Sequence, residues 1–301
     1  MIIGLNGQCV QEQQAVVSVL DHGFLYGIGL FETFRTYHGV PMLLDAHLAR
    51  LQAGCERLQI HCELDALSIR QHIRELLAAN GLTDGYIRYS VSAGAQPLGL
   101  PSEAYGEPSV IVYVKELPHA GEGELYAEAV GKPLQLLRLR RNTPESDVRM
   151  KSFHYMNNVL AKRELSGYPW AAGAEGLFLS EQGAVAEGIV SNLFFVTGGK
   201  LYTPSLATGA LPGITRWHVL QLAERLGMPA AEGLYALEDL LGADEIFLTN
   251  AVQELVPVTV ITGYDGEDLW KSGGERRMGS ILHRGYLDSV LQEIARYREE
   301  G

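Results

Sequence analysis

Met150-Lys151-Ser152-Phe153-His154-Tyr155-Met156-Asn157-Asn158-Val159-Leu160-Ala161-Lys162-Arg163-Glu164 puts a lysine where a basic, loop-like segment meets a helical pattern. Met156, Val159, Leu160 and Arg163 recur at helix spacing, which predicts a helix with Lys151 at the N-terminal edge of a rigid element. Most lysines in such places are solvated charges. The basic run before it, Arg138, Arg140, Arg141 and then Arg149, has a bland reading as a solvated face. Packed beside an amine, like charges would also disfavour the ammonium form and free it for chemistry. The rest of the chain decides between these readings.

At 301 residues the chain has room for two domains. Its 47% hydrophobic and 20% charged residues describe a soluble globular protein. No apolar run is long enough to span a bilayer. Met1-Ile2-Ile3-Gly4-Leu5-Asn6 lacks a basic segment followed by an apolar stretch, so a cytoplasmic protein is expected. Cys9, Cys55 and Cys62 have no metal-like or CxxC spacing and read as buried free thiols. A net charge of −12 argues against a nucleic-acid or anionic-membrane partner. A local pocket of basic side chains and N–H groups can still hold a small anion.

Outward from Lys151, the N-terminal half reads as an α+β unit. Two strands are expected around Asn6-Gly7, the second carrying Val16, Val17, Val19 and Leu20. Asp21 to Arg35 sets three glycines among aromatics, as if backbone passes close to something, and then a strand from Phe31 to Tyr37. No helix pattern follows the glycines, so a GxGxxG phosphate loop is ruled out. One helix carries Leu48, Leu51, Cys55 and Leu58, with His47 and Arg50 near its start. A second, about Leu67 to Leu77, stops at Asn80-Gly81. Strands follow at Tyr86–Ser92 and Ser109–Leu117. Pro118 to Glu124 is the best linker, giving an N-terminal domain of 1–118, a linker of 119–130 and a C-terminal domain of 131–301. In the second domain, strands are predicted at Gly176–Ser180 and Gly188–Val196, with Glu187 just before the latter. Gly213 enters a helix whose first N–H groups make an anion site. Glu245–Asn250 is a strand running into a loop with further backbone donors. Gly263 to Gly274 reads as exposed loop, and Gly279 to Glu299 as a terminal amphipathic helix.

These parts suit one cofactor chemistry. A lysine can form a Schiff base with an aldehyde, a carboxylate such as Glu187 can keep a pyridine nitrogen protonated, and Arg50 with the Ile214 and Thr215 N–H groups can grip a phosphate. Pyridoxal 5'-phosphate (PLP) needs that set. The residues alone do not separate PLP from another anionic ligand.

Arg50, Lys151, Glu187-Gly188-x-x-Ser191-Asn192 and Gly213-Ile214-Thr215-Arg216, in that order, resemble the fold-type IV PLP enzymes over nearly the whole chain. That group includes branched-chain aminotransferases, D-amino-acid aminotransferases and 4-amino-4-deoxychorismate lyases. The resemblance implies an α+β, α/β two-domain fold of the D-amino-acid aminotransferase type. Its smaller N-terminal α/β domain would be followed by a larger C-terminal domain with a β-barrel-like sheet. It implies that Lys151 carries the cofactor and moves protons, and that Glu187 contacts the pyridine nitrogen. Tyr155 would lie near the phenolic oxygen. Arg50, Ile214, Thr215 and the Asn250-Ala251 loop would hold the phosphate. A homodimer is implied too, because such enzymes generally build the site at a dimer interface.

Within the group, Ala93-Gly94-Ala95-Gln96-Pro97-Leu98-Gly99-Leu100 lacks the Arg-x-His pair of the D-amino-acid enzymes. Phe31-Glu32-Thr33-Phe34-Arg35 and Asn250-Ala251 depart from the branched-chain pattern Phe-Glu-Gly-Ile-Arg and Gly-Thr. Thr33 and Asn250 match positions that the lyases use near substrate. The resemblance therefore implies an aminodeoxychorismate lyase that eliminates pyruvate to give 4-aminobenzoate for folate synthesis, with Thr33 acting on the departing group and Asn250 orienting substrate. A class IV aminotransferase acting on branched-chain or D-amino acids is the nearer alternative, and a non-enzymatic ligand-binding protein the remoter one. Thr33 can equally be a strand former and Asn250 a turn residue. Arg35 and His47 can be a packing ion pair. Arg88, Arg138 and Arg141 are unranked candidates for the substrate carboxylates. No metal is expected.

Overall fold

The computed structural model describes residues 1–117, 126, 128–273 and 276–300. The expected linker falls largely outside the described residues. The chain divides into two compact units, one of residues 1–119, 150–154 and 290–301, the other of residues 120–149 and 155–289.

The first unit opens with β1 (Ile2–Leu5) and β2 (Gln8–Gln11), a hairpin turned at Asn6-Gly7, where both residues have positive φ. The short helix α1 (His22–Tyr26) is capped by Asp21, whose carboxylate accepts the Gly23 N–H. Then come β3 (Gly29–Tyr37), β4 (Val40–Pro41), α2 (Leu44–Arg57), α3 (Ala66–Ala79), β5 (Tyr86–Ser92) and β6 (Ser109–Lys115). The six strands form one sheet in the order β2-β1-β6-β5-β3-β4. Strand alternation divides β3 into two faces. Leu30, Glu32, Phe34 and Thr36 are buried, while Thr33, Arg35 and Tyr37 are half-buried on the Phe31 side. Leu44, Leu48 and Leu51 of α2 and Ile69, Ile73, Leu76 and Leu77 of α3 supply the helical part of the core.

Two N-terminal expectations change. Val16, Val17, Val19 and Leu20 form no strand and are exposed, since Gln8–Gln11 already completes the hairpin. The glycine-rich stretch holds α1, one turn too short to show a helical period.

The second unit carries β7 (Lys132–Leu136), α4 (Met156–Ser166), β8 (Glu175–Leu179), β9 (Val185–Gly188), β10 (Asn192–Thr197), β11 (Lys200–Pro204), α5 (Ile214–Arg225), β12 (Ala230–Gly233), α6 (Leu237–Leu241), β13 (Glu245–Asn250), β14 (Glu254–Thr262), β15 (Asp268–Lys271) and α7 (Arg277–Glu300). A mixed sheet runs β12-β11-β10-β13-β14-β7-β8-β9, with β15 added to β14. Leu134, Leu177, Leu193, Leu248 and Ile261 form its main core. The strand expected over Gly188–Val196 is two strands, because Ile189–Ser191 turns between β9 and β10; Glu187 therefore lies on β9. Gly263–Gly274 is not all loop: β15 pairs with β14 and buries Trp270, whose indole N–H donates to the Ala243 carbonyl. The helix after Lys151 is present as α4, but it buries Asn158, Ala161 and Leu165 and leaves Met156, Val159 and Leu160 exposed.

Candidate active site

Lys151 is held by strand pairing rather than by α4, which starts five residues later. The Phe31 N–H donates to the Lys151 carbonyl at 2.9 Å and the Phe153 N–H to the Gly29 carbonyl at 2.9 Å, so residues 151–153 extend the sheet beside the start of β3. Gly29 makes this possible, because a Cβ there would stand 2.3 Å from the Phe153 ring. The close approach implied by the glycines is made by the lysine's own segment. Lys151 Nζ lies 4.7 Å from the centroid of the Phe31 ring, and the Arg88 guanidinium carbon lies 3.6 Å from that centroid. Thr33 is paired in register with Arg88 and is two residues from Phe31, so it shares their face. The first unit thus gathers Lys151, Phe31, Thr33 and Arg88.

Arg50, expected at the phosphate, has a strong partner inside the fold. Its Nε and Nη2 donate to the two Glu32 oxygens at 2.8 and 2.6 Å, and His47 Nδ1 lies 2.6 Å from Glu32 Oε2. Burial alone would raise the Glu32 carboxyl, but the Arg50 charge and the His47 hydrogen bond outweigh it and hold it down at about 2. Burial lowers the His47 pKa below the usual imidazole value, against the pull of Glu32. His47 therefore donates as a neutral ring. The pairing considered for Arg35 and His47 is replaced: His47 and Arg50 share Glu32, while Arg35 lies over Tyr37 at 4.3 Å. Glu32 was missed as a candidate; its signal was a charged residue on the buried phase of an alternating strand.

In the second unit Glu187 is 4% exposed and fully engaged. Arg141 Nε donates to Oε1 at 2.8 Å, and Asn192 Nδ2 and the Leu211 N–H donate to Oε2 at 3.1 and 3.0 Å. Arg141 Nη1 also reaches Asn157 and Asn158 on α4. Arg141 is thus buried and spent on Glu187, which removes it as a first choice for a substrate carboxylate. Arg138 is mostly exposed, over Tyr264. Arg149 donates to the carbonyls of Gly209 and Asn142. The basic run is therefore neither a solvated face nor a free store of charge; two of its members are buried donors with acceptors of their own.

The stretches expected at the phosphate, Gly213–Thr215 and Asn250-Ala251, lie at the start of α5 and the end of β13. Gly213 caps α5 with no side-chain hydrogen bond, so the N–H groups of Ile214 and Thr215 have no helical acceptor. A Cβ at Gly213 would stand 1.9 Å from Asn192 Oδ1, so a larger residue there would push aside the amide that holds Glu187. Asn250 ends β13 with Oδ1 accepting the Val252 and Gln253 N–H groups at 3.0 and 2.8 Å, so its side chain shapes the turn that carries Ala251. Tyr155 is half-buried at the N-cap of α4. Ser191 Oγ and Thr249 Oγ1 are buried without a hydrogen-bond partner, polar atoms waiting for something to bind. Each unit carries groups whose chemistry suits PLP: a lysine amine in the first, and a carboxylate clamped by donors with an uncapped helix N-terminus in the second.

The amino-transferase class IV family matches residues 29–261, and the chain belongs to that family of fold-type IV, PLP-dependent enzymes. It is 44% identical to the aminodeoxychorismate lyase of Bacillus subtilis over 262 residues, 86% of each chain. Its structure is similar to that of 4-amino-4-deoxychorismate lyase from Pseudomonas aeruginosa, with a TM-score of 0.79 and 32% identity, covering 95% of this chain and 98% of that one. It is also similar to the T.th. branched-chain amino acid aminotransferase complexed with N-(5'-phosphopyridoxyl)-L-glutamate, with a TM-score of 0.81 and 29% identity over 97% and 94% of the two chains.

Proposed function

We propose that the chain is a 4-amino-4-deoxychorismate lyase, releasing 4-aminobenzoate and pyruvate for folate synthesis. The observation that carries this is the 44% identity across 86% of both chains with a lyase of that name. When bound, PLP supplies an electron sink for the negative charge left as the ring proton departs. Lys151 supplies the amine that removes and returns protons, from a position set by its backbone pairing to β3. Glu187, clamped by Arg141, Asn192 and the Leu211 N–H, keeps the pyridine nitrogen protonated. Ile214, Thr215 and Ala251 offer backbone N–H groups to the phosphate, and Arg50, held against Glu32, is the side chain that would reach it. Tyr155, at the N-cap of α4, would contact the phenolic oxygen. Thr33 positions the departing enolpyruvyl group, its hydroxyl donating a hydrogen bond to the oxygen as the C–O bond breaks, and the enolpyruvate becomes pyruvate with the proton that Lys151 returns. Arg88, on the same face, is the first choice for a substrate carboxylate. Asn250 acts on substrate through the turn it braces.

The reading extends to a homodimer in the cytoplasm. Val16, Val17, Val19, Leu20 and Phe24 are all at least 43% exposed in one short stretch, apolar surface that a second copy would cover. Among the described residues no helix is long and apolar enough to cross a membrane.

Incubation with 4-amino-4-deoxychorismate tests the reaction. Equal amounts of 4-aminobenzoate and pyruvate are expected. No 4-aminobenzoate, with ready half-transamination of a branched-chain amino acid, would place the chain with the aminotransferases instead.

A further inference from the structure

A second cluster of ligating side chains lies in the first unit, on elements the reaction does not use. Of the three thiols expected to be buried only Cys55 is; Cys9 sits on β2, the outermost strand of its sheet, and is exposed. His72 and Glu75 stand one turn apart on α3 and so share a helix face. One donor atom from each, a thiol sulfur, an imidazole nitrogen and a carboxylate oxygen, lie within 4.8 Å of one another.

The imidazole carries the second observation. His72 Nε2 is buried and has no hydrogen-bond partner, whereas buried ring nitrogens are normally satisfied. Gly4 explains how the ring comes to be there. Gly4 is the residue opposite Cys9 in the β1–β2 register, and a Cβ on it would stand 2.5 Å from His72 Nε2. The bare glycine lets the ring settle against the strand pair at the level of the thiol.

We propose that Cys9, His72 and Glu75 bind a zinc-class divalent cation. Sulfur, nitrogen and one carboxylate oxygen form a donor set for a borderline-soft ion; calcium and magnesium take all-oxygen shells. Bond lengths of about 2.0–2.3 Å put tetrahedral donors roughly 3.3–3.7 Å apart, so the cluster must tighten by about 1 Å. Cys9 and Glu75 are exposed and can turn to do so. Three protein ligands leave a fourth position for water. The ion would tie the edge strand to α3.

Zinc is titrated into the full-length, PLP-loaded protein against a chromophoric chelator. One zinc per chain is expected. Cys9→Ser and His72→Ala should each weaken binding at least tenfold, and Cys62→Ser, which removes the other partly accessible thiol, should leave it unchanged. 4-Aminobenzoate formation should be the same in all four proteins, because the site takes no part in it. Zinc binding equal to the parent in Cys9→Ser, its loss in Cys62→Ser, or no binding at micromolar zinc would each overturn the proposal. Thermal unfolding gives a second reading: added zinc should raise the midpoint of the parent and not that of Cys9→Ser.

Discussion

Glu32 and Glu187 are two buried carboxylates, each met at 2.8 Å by an arginine Nε, and they do opposite jobs. Glu32 is closed on itself. Arg50 grips both its oxygens and His47 adds a third bond, all from α2, so the pair locks a helix onto β3. Glu187 is clamped by one charge and two neutral donors, drawn from β10, the loop before α5 and the strand-to-helix segment at Arg141. Those are the segments that form the proposed cofactor cradle. An arginine–carboxylate pair is therefore not a functional signature by itself. What separates the two is where the remaining donors come from: one packed helix in the first case, several converging loops in the second.

The largest expected effect sharpens this contrast. Glu187→Gln should lower turnover about a thousandfold, roughly 4 kcal/mol of barrier, and should also cost about 3 kcal/mol of stability, because the buried Arg141 charge loses its partner. Steady-state 4-aminobenzoate formation and thermal unfolding, run together, check both halves. Glu32→Gln should cost stability without the loss of turnover. Taking the charge from a buried, paired carboxylate should cost about 3 kcal/mol of stability in urea unfolding, with turnover at saturating PLP changed less than tenfold. If Glu32→Gln abolished turnover without loss of stability, the contrast would fail.

The pH dependence follows from the same pair. The folded Glu32 carboxyl is held at about 2, below its ordinary value of 4.5. Its contribution is thus fully present above about pH 4.5 and is lost as pH falls toward 2. Urea midpoints measured from pH 5 down to 3 should drop more steeply in the parent than in Glu32→Gln. A smaller effect is expected at Thr33→Val, which keeps the strand preference and the shape but removes the hydroxyl. Turnover should fall about tenfold, with stability unchanged within about 0.5 kcal/mol. Asn250→Ala, which deletes two turn hydrogen bonds, should cost about 1 kcal/mol of stability and weaken PLP binding, read by the absorbance of the cofactor.

Much of this was legible in the order of residues. Helices α2, α3 and α5 and the strands around Thr33, Tyr86 and Glu245 follow from apolar period and stop signals, which are local. The cofactor set follows from several weak motifs in one order. Glu32 was not legible, because a carboxylate on the inner phase of a strand declares itself only when its partner, eighteen residues on, is known to pack there. Arg141 looked like part of a charged face for the same reason. The support of Lys151 was misplaced onto α4, since a two-residue bridge to β3 leaves no period to read. Trp270 was lost in a polar loop because β15 is four residues long.

Residues 150–154 and 290–301 count with the first 119 residues rather than with their neighbours in the chain. Near the end of α7, Arg296 pairs with Asp45, and the Arg74 guanidinium lies over Tyr297. This has a consequence for synthesis on the ribosome. The first sheet can begin to form early, but the edge beside Gly29 stays open until residue 153 has emerged, and α2 and α3 lack their last packing surface until about residue 297 is made. No cut between the two units yields a finished first half, so a nascent chain stalled at residue 120 should be held by chaperones rather than released folded.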